Sequence, residues 1–155
     1  NSSELPGEEI VFGDKFPTTS GKGKFVKTEV TDPDELPDDD FSMILTTGRQ
    51  LEHWHTGAMT RKASNLDAIE PEPSVSLSPS DIITNNLKPG DMIKVSTRRG
   101  SIQIRVRQDR GIPNGVLFIP FCYNEAAANL LTNPALDPYG KIPEFKYCAA
   151  KIEKI

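Results

Sequence analysis

The chain has 155 residues, a formal net charge of −4, two cysteines, two histidines and one tryptophan. Hydrophobic residues make up 36 % and aromatic residues 7 %, a lean supply for one ordinary domain with some flanking chain. No apolar run nears the roughly 20 residues a bilayer-spanning helix needs. Cys122 and Cys148 lack CxxC spacing, which gives no support to a disulfide framework, a zinc site or an iron–sulfur cluster.

The charge is unevenly spread. Residues 1–40 carry 11 acidic and 4 basic side chains, and the remainder 11 acidic and 14 basic. That mild basic excess is too small to argue for nucleic acid, but it suits a site for a few phosphates. The opening NSSELPGEEI has neither a basic nor an apolar signal region. The expected setting is therefore reducing and cytoplasmic, with two buried free thiols and no membrane contact.

Residues 1–40 read as an acidic, extended leader, in which TTSGKGKF (18–25) predicts a turn and a short strand. DPDELPDDD (32–40) reads as a solvated connector with little that could pack. The domain proper, 41–155, begins at Phe41. FSMILTT is an apolar run that predicts a buried strand, and SVSLS (74–78) alternates like another. PSDIITNNL predicts a helix, with Ser78 as N-cap, Pro79 in the first turn and Asp81 near the positive end of the dipole.

MIKVST and SIQIRVR, joined across Arg98-Arg99-Gly100, predict a hairpin, with Gly100 in a turn that asks for positive φ. Ile102, Ile104 and Val106 share one face of the second run, with Gln103, Arg105 and Arg107 on the other. The cluster Arg98, Arg99, Arg105 and Arg107 reads as a solvated face or a docking surface. GVLFIPF predicts a strand. EAAANLLT has helical propensity, NPALDPYGKIP is a loop, and FKYCAAKIEKI predicts a last strand. Short strands with frequent turns indicate a small β-barrel or sandwich, without visible internal repeats.

One stretch fits no core. TGRQLEHWHTGAMTR (47–61) gathers both histidines, the tryptophan and two arginines. His53 and His55 could share a face in a strand, but two ligands without a third make a poor metal site. No GxSxG-type elbow accompanies the nearby serines. An anion site suits these residues better. Thr47 offers a hydroxyl, Gly48 a close backbone approach, and Arg49 a fork matched to phosphate. His53, Trp54, His55 and Thr56 add hydrogen bonds and a flat stacking surface, and Arg61 adds charge. The bland alternative is a polar loop with Trp54 plugging the core.

These motifs, with IEPEPSVSLSPSDI, LKPGDMIKVSTRRG, FCYNEAAANLLTNPALDP and KIPEFKYCAAKIEKI following in order, resemble the C-terminal molybdopterin-dinucleotide-binding domain of formate dehydrogenase large subunits. The corresponding domains of nitrate reductases are similar. The resemblance implies a mainly β fold, a six-stranded double-psi β-barrel with short helices, of the aspartate-decarboxylase-like kind. It implies a bis(molybdopterin guanine dinucleotide) cofactor carrying molybdenum or tungsten.

By position, the resemblance implies cofactor contacts at Thr47, Gly48, Arg49, Gln50, Leu51, Glu52, His53, Trp54, His55 and Thr56, with Asn129 and Lys146. Phe121 would lie on the substrate side. No catalytic residue and no metal ligand of the parent enzymes is matched, and any iron–sulfur cluster belongs to another part of the enzyme. The implied partners are the remaining domains of the same large subunit and its electron-transfer subunits. Two alternatives stand beside this reading: the same domain of a nitrate reductase, and a free-standing barrel subunit serving protein interaction.

Overall fold

A computed structural model describes residue 7 and residues 9–155. It divides into two compact units, 1–31 and 32–155. In the first, the amide of Phe16 bonds to the Gly21 carbonyl at 3.0 Å and that of Gly21 to the Thr18 carbonyl at 3.0 Å. The expected turn is present, but residues 18–25 form no strand. Phe25 lies fully exposed, so that face has nothing to pack on.

The second unit begins at Asp32, ahead of the expected boundary at Phe41, because residues 32–40 are bound to the barrel. Glu35 pairs with Arg98 and Arg99, and Asp38 with Arg98. The connector expected to be solvated thus supplies counter-charges to half of the arginine cluster. Arg105 and Arg107 pair with Glu72 and Glu70.

Six strands close the barrel: β1 (Met43–Gly48), β2 (Ser74–Leu77), β3 (Met92–Ser96), β4 (Ser101–Gln108), β5 (Val116–Pro120) and β6 (Cys148–Lys154). Their order around the barrel is β1-β5-β2-β4-β3-β6. β1 with β5 and β2 with β4 run parallel, and the other pairs antiparallel. Exchanging β1, β2, β3 for β4, β5, β6 maps this set of pairings onto itself. Two interlocked halves, each completing the other, make the double-psi arrangement. Every neighbour of a strand from one half belongs to the other half.

Alternation places the core as the sequence led one to expect. Ile102, Ile104 and Val106 of β4 are buried and Gln103 and Arg105 exposed. Ile93 and Val95 of β3, Leu45 of β1, and Leu117 and Ile119 of β5 complete a dry interior. Burial of such side chains, worth about 1.5–3 kcal/mol each, supplies the main driving force.

Of the two short α-helices among the described residues, α1 (Ser64–Ile69) was not foreseen, and α2 (Pro79–Thr84) was. The Ser78 hydroxyl accepts the Asp81 amide at 3.0 Å, and Asp81 also accepts the Gly115 amide. The helix stops before the expected Asn85-Asn86-Leu87. Asn86 turns left-handed at φ 52, while the Leu87 amide reaches back to the Ile82 carbonyl at 2.9 Å, a Schellman ending.

Gly100 corrects another expectation, since its φ is not positive. A Cβ there would sit 3.1 Å from the Leu130 carbonyl oxygen, so close packing, not a left-handed turn, favours glycine. EAAANLLT forms two single 3-10 turns, Asn124–Ala126 and Ala128–Leu130, instead of one helix. Ala127 between them is extended, with ψ 99.

Candidate functional site

Because β1 and β5 run parallel in a register that sets Gly48 beside Pro120, both strands deliver their following loops to the same rim. The Phe121 amide donates to the Gly48 carbonyl at 3.1 Å, continuing the ladder past the strand ends. Gly48 itself is required by its neighbour: a Cβ would lie 2.5 Å from Cε2 of Phe118. That ring occupies the space a side chain at position 48 would take.

From this rim the chain enters the stretch 49–63. Arg49 is exposed, its guanidinium 5.6 Å from the Trp54 ring centre and its Nη2 3.2 Å from His55 Nε2. Trp54, 57 % exposed, meets His55 edge to face at 4.6 Å. The bland alternative is therefore overturned: Trp54 does not plug the core. His55 adopts φ 49, a left-handed conformation that histidine tolerates better than most side chains. The residues 49–54, with Thr60 and Leu66, line an open cavity of about 580 Å³. Within it Gln50 donates to Glu52 at 2.9 Å, which holds the partly exposed Glu52 carboxyl below its usual range. Leu51 is almost wholly exposed.

His53 faces the opposite way. It is 1 % exposed, and its Nε2 lies 2.9 Å from the Glu70 carbonyl oxygen. That acceptor assigns the proton to Nε2. The buried Nδ1 finds no partner among the described residues. The Tyr123 hydroxyl donates to the same Glu70 carbonyl at 2.9 Å, and burial pushes its pKa up to about 12. His53 and His55 thus share no face. No group of three potential metal-ligating side chains occurs among the described residues.

Thr47 is buried at the end of β1, where its hydroxyl donates to the Phe145 carbonyl at 2.7 Å. Lys146 donates to the Thr47 carbonyl at 2.6 Å, with its ammonium over the rings of Phe121 and Phe145. Thr56, Phe121 and Asn129 come together with Tyr123 around a smaller cavity of about 190 Å³. The expected residues accordingly form an exposed cluster at Arg49, Trp54 and His55, with Gln50, Leu51 and Glu52 beside it and His53 buried behind it, a rim pair at Thr47 and Lys146, and a small cavity at Thr56, Phe121 and Asn129.

Arg61 does not add free charge as expected. It bonds Asp67 at 2.6 Å and Glu125 at 2.8 Å and lies over the Tyr123 ring. The Glu125 hydrogen bond, chiefly, raises the guanidinium pKa. This clamp fastens the loop to the turn after β5, and Gly57 (φ 73) sits beneath it. Sequence reasoning missed Thr60, whose hydroxyl accepts the Trp54 amide at 3.0 Å, and the Glu70 carbonyl. Spacing could have flagged Thr60, but a main-chain carbonyl leaves no mark in composition.

A double-psi barrel whose parallel strand ends present a guanidinium, an indole and an imidazole beside an open cavity defines a cofactor- or nucleotide-holding module. The profile of the family described as the molydopterin dinucleotide binding domain matches residues 43–149, and the chain belongs to that family.

Among its relatives, the F420-dependent formate dehydrogenase subunit alpha of Methanocaldococcus jannaschii is 46 % identical over 149 residues. The match covers 96 % of this chain and 22 % of that protein. The F420-dependent formate dehydrogenase 1 subunit alpha of Methanococcus maripaludis is 44 % identical over 152 residues, covering 98 % and 23 %. The chain thus spans under a quarter of the length of these relatives. Acetylene hydratase from Pelobacter acetylenicus shares the fold, with a TM-score of 0.67 and 21 % identity, covering 75 % of this chain and 19 % of that one.

Proposed function

We infer that this domain holds bis(molybdopterin guanine dinucleotide), carrying molybdenum or tungsten, as one part of the large subunit of a formate dehydrogenase. The observation that carries this reading is the exposed Arg49–Trp54–His55 cluster beside the larger cavity, in a chain so similar to two formate dehydrogenase alpha subunits.

The donor set fits such a group. A cofactor with two diphosphates and several planar heterocycles needs many convergent donors, because each unmatched polar atom would cost desolvation energy. When bound, the cofactor supplies the redox-active metal at which formate is oxidised. The chain's own residues bind and orient. Arg49 offers two parallel N–H donors to a phosphate. Trp54 offers a flat face to a base or pterin. Asn129 and Thr56 offer amide and hydroxyl groups at the smaller cavity. Lys146, fixed on the Thr47 carbonyl, keeps a positive charge at the β1 rim.

Titration with GDP tests the reading, because Trp54 is the only tryptophan and lies within the cluster. Binding should quench or shift its emission and move amide resonances at Thr47–Thr56, Asn129 and Lys146. Arg49→Ala should weaken both responses, and in the intact subunit Arg49→Ala and Asn129→Ala should lower metal and cofactor content. Full cofactor content in both variants would overturn the site assignment.

A further inference from the structure

Asn129 sits in the second of two short 3-10 turns, Ala128–Leu130, which carry little hydrogen bonding of their own, so something outside must hold it. The candidate is the next buried residue, Leu131, whose carbonyl accepts from three side chains. The Thr97 hydroxyl approaches at 2.9 Å, the Arg99 guanidinium at 3.2 and 3.3 Å through Nη2 and Nε, and the Cys148 thiol at 3.6 Å.

Arg99 is the charged member of this set, and it is held from behind. Glu35 receives it on both carboxylate oxygens, while Glu35 Oε1 also accepts the Ala149 amide at 2.9 Å and pairs with Arg98 at 3.0 Å. The Glu35 side chain is only 14 % exposed. Burial alone would raise its pKa, but Arg99, the Ala149 amide and Arg98 outweigh it and hold the carboxyl below the usual range. A chain of contacts therefore runs from the acidic connector through the β3–β4 turn to the segment that carries Asn129.

We propose that Glu35 and Arg99 form a latch that positions Asn129 for ligand binding, acting through the Leu131 carbonyl. Neither residue touches the cavity that Asn129 lines, so both are positioning residues. This rests on the reading of Asn129 as a cofactor contact. Guanidinium geometry is essential: its planar fork bridges two carboxylate oxygens and a carbonyl at once, whereas an ammonium is a single point donor. The connector is thereby part of the binding module, although it lies outside the family match at 43–149.

The test compares Glu35→Gln, Arg99→Lys, Arg99→Gln and Asn129→Ala in the full chain, with Arg105→Gln as a control taken from an exposed ion pair elsewhere on β4. Amide NMR and GDP titration are read together. Arg99→Gln should move the resonances of 128–132 and weaken GDP binding roughly three- to tenfold. Glu35→Gln should do the same to a smaller degree, and Arg99→Lys should not restore the native shifts. Arg99→Gln added to Asn129→Ala should weaken binding little further.

Weakened GDP binding in Asn129→Ala but not in Arg99→Gln would overturn the latch and leave the cofactor reading intact. Unchanged binding in Asn129→Ala would instead remove Asn129 from the site, and with it the latch's part in binding.

Discussion

Thr47 is tied by two hydrogen bonds to the adjacent pair Phe145 and Lys146. The lysine ammonium donates to the Thr47 carbonyl at 2.6 Å, and the Thr47 hydroxyl donates to the carbonyl of Phe145, the residue before the lysine, at 2.7 Å. The end of β1 is thereby tied to the approach to β6 at the place where the candidate site begins. A lysine that matched the family by position alone thus has a defined mechanical task.

Lys146→Met should therefore lower stability by about 1–2 kcal/mol, since it deletes a charge-assisted bond and leaves the Thr47 carbonyl short of a partner. Urea unfolding measures this. An unchanged midpoint would mean that water satisfies the carbonyl equally well.

Two glycines should respond differently to alanine. Gly57 has φ 73, and a Cβ there would lie 2.5 Å from Arg61 Cγ and 2.9 Å from the Cys122 carbonyl oxygen. Gly57→Ala should cost about 1–3 kcal/mol from backbone strain and from displacement of the Arg61 clamp. Gly100 has no such φ and meets only the Leu130 carbonyl, so Gly100→Ala should cost less than about 1 kcal/mol. Thermal unfolding of both variants ranks them, and the reverse order would refute the clamp.

Acid should weaken the domain through a small set of carboxylates. The Arg61 hydrogen bond holds Glu125 below its ordinary 4.5, and Arg99 with the Ala149 amide does so for Glu35 against the pull of burial. Both groups bind protons less readily folded than unfolded. Their stabilisation is thus fully present above the unfolded value and is lost as pH falls through the folded one. Glu125 is half exposed and Glu35 nearly buried, so solvent screens the first more strongly. Urea unfolding between about pH 3 and pH 6 should show a loss below 4.5 that Glu35→Gln flattens more than Glu125→Gln does. Equal slopes in all three proteins would remove both groups as its source.

Both thiols should resist modification in the folded chain. Cys122 and Cys148 are buried, and burial, above all, raises their pKa values. A thiol reagent at neutral pH should label neither until denaturant is added. Rapid labelling of the native protein would show that the barrel opens locally.

The strands were readable because each had a strong local signature. Alternation in SIQIRVR and the apolar run MILTT identify faces that need a buried interior, in a barrel or a sandwich. The Ser78 cap was equally legible, since its partner Asp81 lies three residues away. Other features depend on residues far apart in sequence. Glu35 belongs with Arg99 and Ala149, and nothing local in DPDELPDDD distinguishes that glutamate from its solvated neighbours. His53 and His55 look equivalent in the string HWH, yet the Glu70 carbonyl draws one inward and Arg49 keeps the other at the surface. The two-half symmetry leaves no sequence repeat because it constrains pairing, and many side chains satisfy the same pairing.

The alternation of halves around the barrel sets an order in time. No two strands among β1, β2 and β3 are hydrogen-bonded to each other, so the first half of the chain cannot assemble a sheet while it waits for the second. Only the β3–β4 hairpin is local, and the seam between β1 and β6 spans residues 43–150. During synthesis the barrel therefore stays open until Cys148–Lys154 has emerged, and it should then close in one slow, cooperative step dominated by distant contacts. The ammonium of Lys146 reaches Thr47 only with that closure. The rim that the proposed cofactor reading requires thus exists only in a finished domain.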